Sequence, residues 1–418
     1  MSESSAPPAG RAPAGLLRAS LLLLLGSAAA QAIPLLLGPL LTRLYSPEEF
    51  GRFQLFASVA TNLAVLGCGR YEFALPLARD EAEAQALRRL CLRLLMALTL
   101  LCVPGGALAA WHQDEPGWLA LPAAVASASL ASLATLWATR EQRFADMAAA
   151  RFSQHTGTTL VQLLLGWLHW GVGGLITGSI AAVAGAIALL RLPLGGLRHT
   201  PAPERALERE MARRHREFPL LNTPHAFAGA LQDTLAVALI AAQLGPAAAG
   251  FWALSLRYLK APATLVGGAV SQALYPKLVA AGGSTPAARA MVRRVMAVLL
   301  AGGITLALAL HLLAPALFGW FFGAQWRPAG ELAAVLAPYI GVHFVAAPLA
   351  VVTMAWQAQG WALRLALVGQ IAFVGALALG LHLGGLQGAG QAVSLAMLLY
   401  FGFYFWRLAT WPVAETPR

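Results

Sequence analysis

Charge is scarce in this sequence. Only 11% of its 418 residues are Asp, Glu, Lys or Arg, against roughly 25% in an ordinary soluble domain. Acids are the scarcer sign, 18 against 29 bases, which leaves a net charge of +11. Cysteine is nearly absent: Cys68, Cys91 and Cys102 form no CxxC pair and stand near no histidine ligand pattern. That excludes a disulfide scaffold and a zinc module, and leaves the thiols as small apolar fillers inside helices. No metal and no other cofactor is expected. What fills the chain instead is apolar. With glycine counted and tyrosine left out, about two-thirds of the residues are apolar, against a usual 45–50%, and the mean hydropathy is +0.66. This excludes a cytosolic enzyme and a disordered chain. Nucleic-acid binding is excluded as well, because the positive residues fall in loops between apolar runs rather than on a compact basic domain. An all-α, polytopic membrane protein remains.

A membrane-spanning helix needs about 20 mostly apolar residues. About twelve such runs can be marked, near 16–42, 50–77, 88–110, 117–139, 152–170, 173–194, 218–244, 247–276, 290–315, 329–355, 361–382 and 386–408. The first imitates a secretory signal, with Arg11 and Arg18, then Leu21 to Leu25, then small residues up to Ala32. Its apolar stretch continues to Leu41, too long for a signal core, so an uncleaved span is expected. Basic residues then assign the sides. One side collects nearly all of them, from Arg11 and Arg18 through the arginines of 191–216 to Arg407 and Arg418; the other holds only Arg43, Arg52 and Arg327. The alternation predicts a multi-pass membrane protein with both termini cytoplasmic. Trp111, Trp118, Trp320, Trp326, Trp406 and Trp411 lie at run ends, as an interfacial belt requires.

The basic stretch 196–217 reads as a cytoplasmic linker between two lobes of six spans, residues 1–195 and 218–418. An internal repeat supports the division. The second run opens with Pro47, three residues, Gly51, one residue and Phe53; the eighth opens with Pro246, three residues, Gly250, one residue and Trp252, an offset of 199. Proline suits the first helical position, and in the first copy Ser46 and Glu49 have the spacing of a capping box. With an even number of spans per half the copies share one orientation. That predicts lobes related by a pseudo-two-fold along the membrane normal, an arrangement typical of alternating-access transporters.

Depth follows from the helical rise of 1.5 Å per residue. Measured from the turn at Gly245-Pro246, Asp233 lies about 18 Å in and Arg257 about 16 Å in, near the middle of a ~30 Å hydrocarbon core. Lys260 follows Arg257 by three residues and shares its helix face. An unpaired charge at that depth costs at least about 2.5–3.5 kcal/mol, so these groups face protein or water. A cationic cavity built on Arg257 and Lys260 fits an anionic headgroup, with Asp233 holding Arg257 or carrying a coupling cation. A purely structural Asp233–Arg257 pair is the plainer alternative. In the first half Gln31 and Asn62 both lie about 22 Å from Ser46-Pro47 and are placed to hydrogen-bond across the first hairpin. Arg43 and Arg52 flank the same hairpin's outer end, lining a mouth or snorkelling to the interface. Arg70 sits at the inner rim, with Glu72 as a partner or as part of a phosphate site. His155, His225, His311 and His343 are scattered singly and read as satisfied or solvated. Breaks at Pro262, Gly267 and Gly268, and at Pro338, Gly341 and Pro348, suit helices that bend.

Several of these segments resemble a known family. Thr42-Arg43-Leu44-Tyr45-Ser46-Pro47-Glu48-Glu49-Phe50-Gly51 resembles the signature that opens bacterial polysaccharide and O-antigen flippases. Gly69-Arg70-Tyr71-Glu72-Phe73-Ala74 resembles their second motif. Leu256-Arg257-Tyr258-Leu259, Pro262 and Gly267 to Gln272, ending Tyr275-Pro276, resemble their eighth span. These proteins form the oligosaccharidyl-lipid branch of the multidrug/oligosaccharidyl-lipid/polysaccharide exporter superfamily. The resemblance implies transfer of an undecaprenyl-diphosphate-linked oligosaccharide between leaflets during polysaccharide and lipopolysaccharide biosynthesis. It implies contacts with membrane lipid and with polysaccharide polymerase machinery, and a monovalent coupling cation, H+ or Na+. Arg257 is the diphosphate contact to carry over, and Gln272 joins the polar cavity. The acid at Asp233 departs from the amide more usual there, which leaves the coupling ion open. The transfer needs charge compensation and no bond chemistry, so no catalytic residue is expected. A cation-coupled multidrug antiporter of the same superfamily is the first rival, but it needs deep acids and only Asp233 qualifies. A membrane glycosyltransferase or polymerase is the second, but the outer loops are too short to carry its acids or arginines.

Overall fold

The computed structural model describes residues 33–195 and 201–412. Gln31 and the start of the first expected span lie outside them. Helices follow one another in chain order: α1 Ile33–Leu44, α2 Pro47–Leu66, α3 Glu81–Gln113, α4 Leu121–Arg140, α5 Phe144–Trp167, α6 Gly171–Leu190, α7 Ala202–Arg214, α8 Thr223–Leu244, α9 Pro246–Leu259, α10 Ala261–Ala280, α11 Pro286–Phe322, α12 Arg327–Ala355 and α13 Gln359–Ala409. No strand occurs among the described residues. Seven helical segments there are long and apolar enough to cross a membrane by length and composition. Their surfaces carry large exposed apolar side chains, such as Leu312, Ile371 and Leu383, which only a lipid solvent accommodates. The protein is a polytopic all-α membrane protein. α13 has 51 residues and leaves helical geometry at Gly384 and Gly385. Gly385 has φ +56°, which favours a residue without Cβ, so its two legs match the two expected last runs.

The expected runs fall on helices, and their ends differ for local reasons. The second run ends early: α2 stops at Leu66, and Tyr71–Leu77 is a separate 3-10 helix entered through Gly69 and Arg70, both at positive φ. The eighth run is two helices rather than one, broken at Lys260. The basic linker is not a loop throughout, since α7 lies inside it. At the start of α2 the capping box forms as the spacing requires. The Ser46 backbone N–H donates to Glu49 Oε2 at 2.7 Å, and the Glu49 N–H donates to Ser46 Oγ at 3.2 Å.

By contact the chain falls into two compact units. Among the described residues one comprises 33–37, Ala64–Leu165, 177–195 and 201–224; the other comprises Gly38–Leu63, Gly166–Ile176 and 225–412. The first has a core of Leu75, Leu87, Cys91, Leu133, Trp137 and Met211. One core of the second gathers Leu278, Val292, Leu349, Val352 and Leu408. The cysteines are buried, as fillers should be.

The tryptophans do not all form a belt. Trp111 and Trp320 are exposed, but Trp118 is buried and Trp326 is fully so. Burial of Trp326 is possible because its indole N–H has a partner, the Thr42 carbonyl oxygen at 3.0 Å; a buried indole donor usually requires one.

Candidate functional site

The helix break is written in the sequence at Pro262. Proline has no N–H, so the i→i−4 bond to Tyr258 cannot form and the ring crowds that turn. α9 ends at Leu259, and Lys260 joins it to α10. Lys260 keeps right-handed helical backbone angles and its N–H bonds the Leu256 carbonyl at 3.0 Å, so Arg257 and Lys260 share the last turn of α9, against the break. Arg257 is exposed and Lys260 half-buried. Lys260 acts electrostatically on Tyr339 and His343, and Asp233 acts on Tyr339. Tyr339 and His343 lie one turn apart on α12 with ring centroids at 5.8 Å. The result is a polar cluster drawn from α8, the α9–α10 break and α12. Among the described residues Asp233, Arg257 and Lys260 make no ion pair, so the plainer alternative, a structural Asp233–Arg257 pair, is not formed among them. Histidine 343 is not the satisfied or solvated residue expected: its Nδ1 is buried with no hydrogen-bond partner among the described residues. It also lines a cavity of about 250 Å³ with Thr353, Tyr400 and Tyr404. The clue to this cluster was the Tyr339–His343 spacing of four, which puts both on one helix face.

Asn62 is buried and holds α2 to α8. Its Nδ2 donates to Thr234 Oγ1 at 3.3 Å, next in sequence to Asp233. The Thr234 hydroxyl reaches the Ser58 carbonyl at 3.1 Å. Asn62 Oδ1 is buried with no partner among the described residues. Gln272 lies on α10, exposed, twelve residues beyond Lys260, about 18 Å along the helix, and so apart from the cluster.

The two copies of the proline–glycine repeat meet. A Cβ on Gly51 would stand 1.7 Å from the Pro246 carbonyl oxygen, and one on Gly250 would stand 2.1 Å from the Pro47 carbonyl oxygen. Each glycine thus lies on the other copy's proline carbonyl, the reciprocal contact that a local two-fold produces. Trp326 packs beside this crossing, 5.3 Å from Phe50 and 5.9 Å from Phe251 in edge-to-face geometry. Thr42 completes the seam. Its carbonyl accepts from Gln325 Nε2 at 2.8 Å as well as from Trp326, and its hydroxyl donates to the Phe322 carbonyl at 3.1 Å. Close by, Arg43 is exposed, and Arg52 pairs with Glu48 at 2.7 Å one turn away on the surface of α2.

Arg70 and Glu72 belong to the other unit. Arg70 Nε donates to Asn222 Oδ1 at 3.3 Å, and its guanidinium covers the Phe73 ring at 4.3 Å. Glu72 is buried, makes no ion pair with Arg70, and leaves Oε2 without a hydrogen-bond partner among the described residues. Cys68, Glu72 and Cys91 come together, with ligand atoms within 4.8 Å of one another. This is the one group among the described residues with the donor types and closeness to hold a metal, and it is one donor short of a tetrahedral set.

Comparisons with known proteins agree with this architecture. Residues 113–331, just over half of the chain, match a family model described as "Polysaccharide biosynthesis protein". No curated protein sequence matches. Among solved structures, the lipid II flippase MurJ in an inward closed conformation is similar over 94% of this chain and 90% of its own, with a TM-score of 0.69 at 11% identity. An inward-facing multidrug resistance MATE family transporter of the MOP superfamily is similar over 92% and 93%, with a TM-score of 0.65 at 12% identity. At such identities the likeness is one of fold. The apolar spans, the reciprocal repeat and the matched family together place the sequence: this chain belongs to the polysaccharide biosynthesis protein family and has the fold shared by these membrane transporters.

Proposed function

We propose that this protein is a flippase for a lipid-linked oligosaccharide, an undecaprenyl-diphosphate-sugar, carried across the bacterial inner membrane by alternating access of two six-helix lobes. Both termini face the cytoplasm in this reading, and the cargo is a repeat unit of a surface polysaccharide such as O-antigen. The observation that carries it is the α9–α10 break, where Arg257 and Lys260 stand with no ion-paired acid among the described residues. A diphosphate crossing ~30 Å of hydrocarbon needs its charge compensated, and Arg and Lys supply that by charge-assisted hydrogen bonds. The polyprenyl tail stays in lipid, so no bond is made or broken. Asp233 and the buried Nδ1 of His343 are the groups that would respond to a coupling cation, H+ or Na+. Membership in a polysaccharide biosynthesis family supports a saccharide cargo.

The test is complementation of a strain lacking the gene. Arg257→Ala and Lys260→Ala should each abolish surface polysaccharide, leave the protein in the membrane, and cause lipid-linked intermediate to accumulate. Normal polysaccharide from the double variant would overturn the reading. Export of fluorescent cations by the wild type, with polysaccharide unaffected by its loss, would favour a multidrug antiporter instead.

A further inference from the structure

α3 is longer than a membrane is thick. Its 33 residues extend about 50 Å, against ~30 Å of hydrocarbon. Counted from Gln113, which opens a polar turn with Asp114 and Glu115, Arg93 lies about 30 Å down the helix and Arg89 about 36 Å. Those two arginines are where α7 is docked. Arg89 bonds Glu208 and Glu204, both at 2.9 Å, and Arg93 bonds the second oxygen of Glu208. Arg214 pairs with Glu83 near the start of α3, and the Tyr71 hydroxyl donates to the Ala212 carbonyl at 3.0 Å. The Glu83 carboxylate holds the Arg214 guanidinium above its usual pKa. Glu208 and Met211 are buried on this docked face. By the same count Glu83 lies about 45 Å down, so the α7 contacts begin where ~30 Å of hydrocarbon would end and continue on the headgroup side.

Its other face is cationic and unused. Arg205, Arg209 and Arg213 succeed one another at intervals of four, so they occupy an arc of about 80°, and Arg216 follows just past the helix end. All four are exposed. None has a side-chain hydrogen bond or ion pair among the described residues. The docked residues Leu207, Met211, Glu204 and Glu208 fall on roughly the opposite side of the helix. A helix that pins Glu204 and Glu208 on Arg89, pairs Glu210 with Arg214, and leaves Arg205, Arg209 and Arg213 outward matches an anionic surface.

We propose that the exposed arginine stripe of α7 is a binding surface for the headgroups of anionic phospholipids. It needs only that the protein spans a membrane, so it stands or falls separately from the flippase reading.

The test uses the full chain in a neutral detergent, titrated with phosphatidylglycerol or phosphatidylcholine, with the thermal unfolding midpoint as readout. Phosphatidylglycerol should raise the midpoint saturably and phosphatidylcholine should not, and salt well above physiological strength should erase the difference. Arg205→Gln with Arg209→Gln and Arg213→Gln should keep the lipid-free midpoint and raise the half-saturating concentration by about 100-fold, at about fivefold per arginine. The triple lysine variant should retain the preference, and so should Arg294→Gln and Arg364→Gln, which remove charge elsewhere. Equal responses to the two lipids, an unchanged half-saturation in the glutamine variant, or the same midpoint shift from sodium phosphate alone would each overturn the proposal.

Discussion

The crossing of α2 and α9 can be perturbed by a single methyl group. Gly51→Ala would place its Cβ 1.7 Å from the Pro246 carbonyl oxygen, 2.5 Å from its carbon and 2.9 Å from the Gly250 nitrogen. All three are backbone atoms and cannot swing aside. Comfortable contact begins near ~3.5 Å, so the helices must part by about 1.8 Å. Gly250→Ala, at 2.1 Å from the Pro47 carbonyl oxygen, needs about 1.4 Å by the same measure. Overpacking of this kind costs about 1–3 kcal/mol. Parting the helices also loosens Trp326 between Phe50 and Phe251. The reciprocity gives a sharper expectation than destabilisation alone. A separation that admits one methyl admits both, so Gly51→Ala with Gly250→Ala should cost little more than Gly51→Ala by itself. Independent distant sites would instead add within about 0.3–0.5 kcal/mol. The assay is thermal unfolding in detergent, combined with spin-label distances between positions 48 and 247 in a background without native cysteines. The singles should lower the midpoint and lengthen the distance, and the double should be sub-additive. Additive losses, or singles with wild-type stability and distance, would refute the reciprocal packing.

Two more substitutions read other contacts. Trp326→Phe should keep most of the aromatic packing and lose the bond to the Thr42 carbonyl, costing about 0.5–1.5 kcal/mol; Trp326→Ala should cost about 3–5 kcal/mol, and equal midpoints for the two would contradict the burial. Glu208→Gln strips Arg89 and Arg93 of their shared carboxylate. Breaking a buried pair costs about 3–5 kcal/mol, and the lower end applies because the Arg93 side chain is 34% exposed. Glu208→Leu combined with Arg89→Met should recover part of that stability in the same melt, since a matched apolar pair avoids the desolvation cost.

The sequence alone determined what depends on neighbours along the chain. Apolar runs of spanning length, the capping box at Ser46 and Glu49, the break at Pro262 and the paired proline–glycine repeat are local, because composition, a missing N–H and side-chain reach act within a few residues. The cationic pair Arg257 and Lys260 was legible for the same reason, as a rare charge inside an oily run. The tertiary structure decided which residues meet. In a membrane helix the lipid-facing and protein-facing sides are both apolar, so periodicity did not say that Trp326 turns inward. Nor did it say that His343 and Tyr339 approach Lys260, or that α7 lies pinned along α3. Gly51 and Gly250 are 199 positions apart. Their spacing announced a duplication, but only packing in three dimensions set each one on the other copy's carbonyl, because that contact depends on helix axes that no local rule fixes.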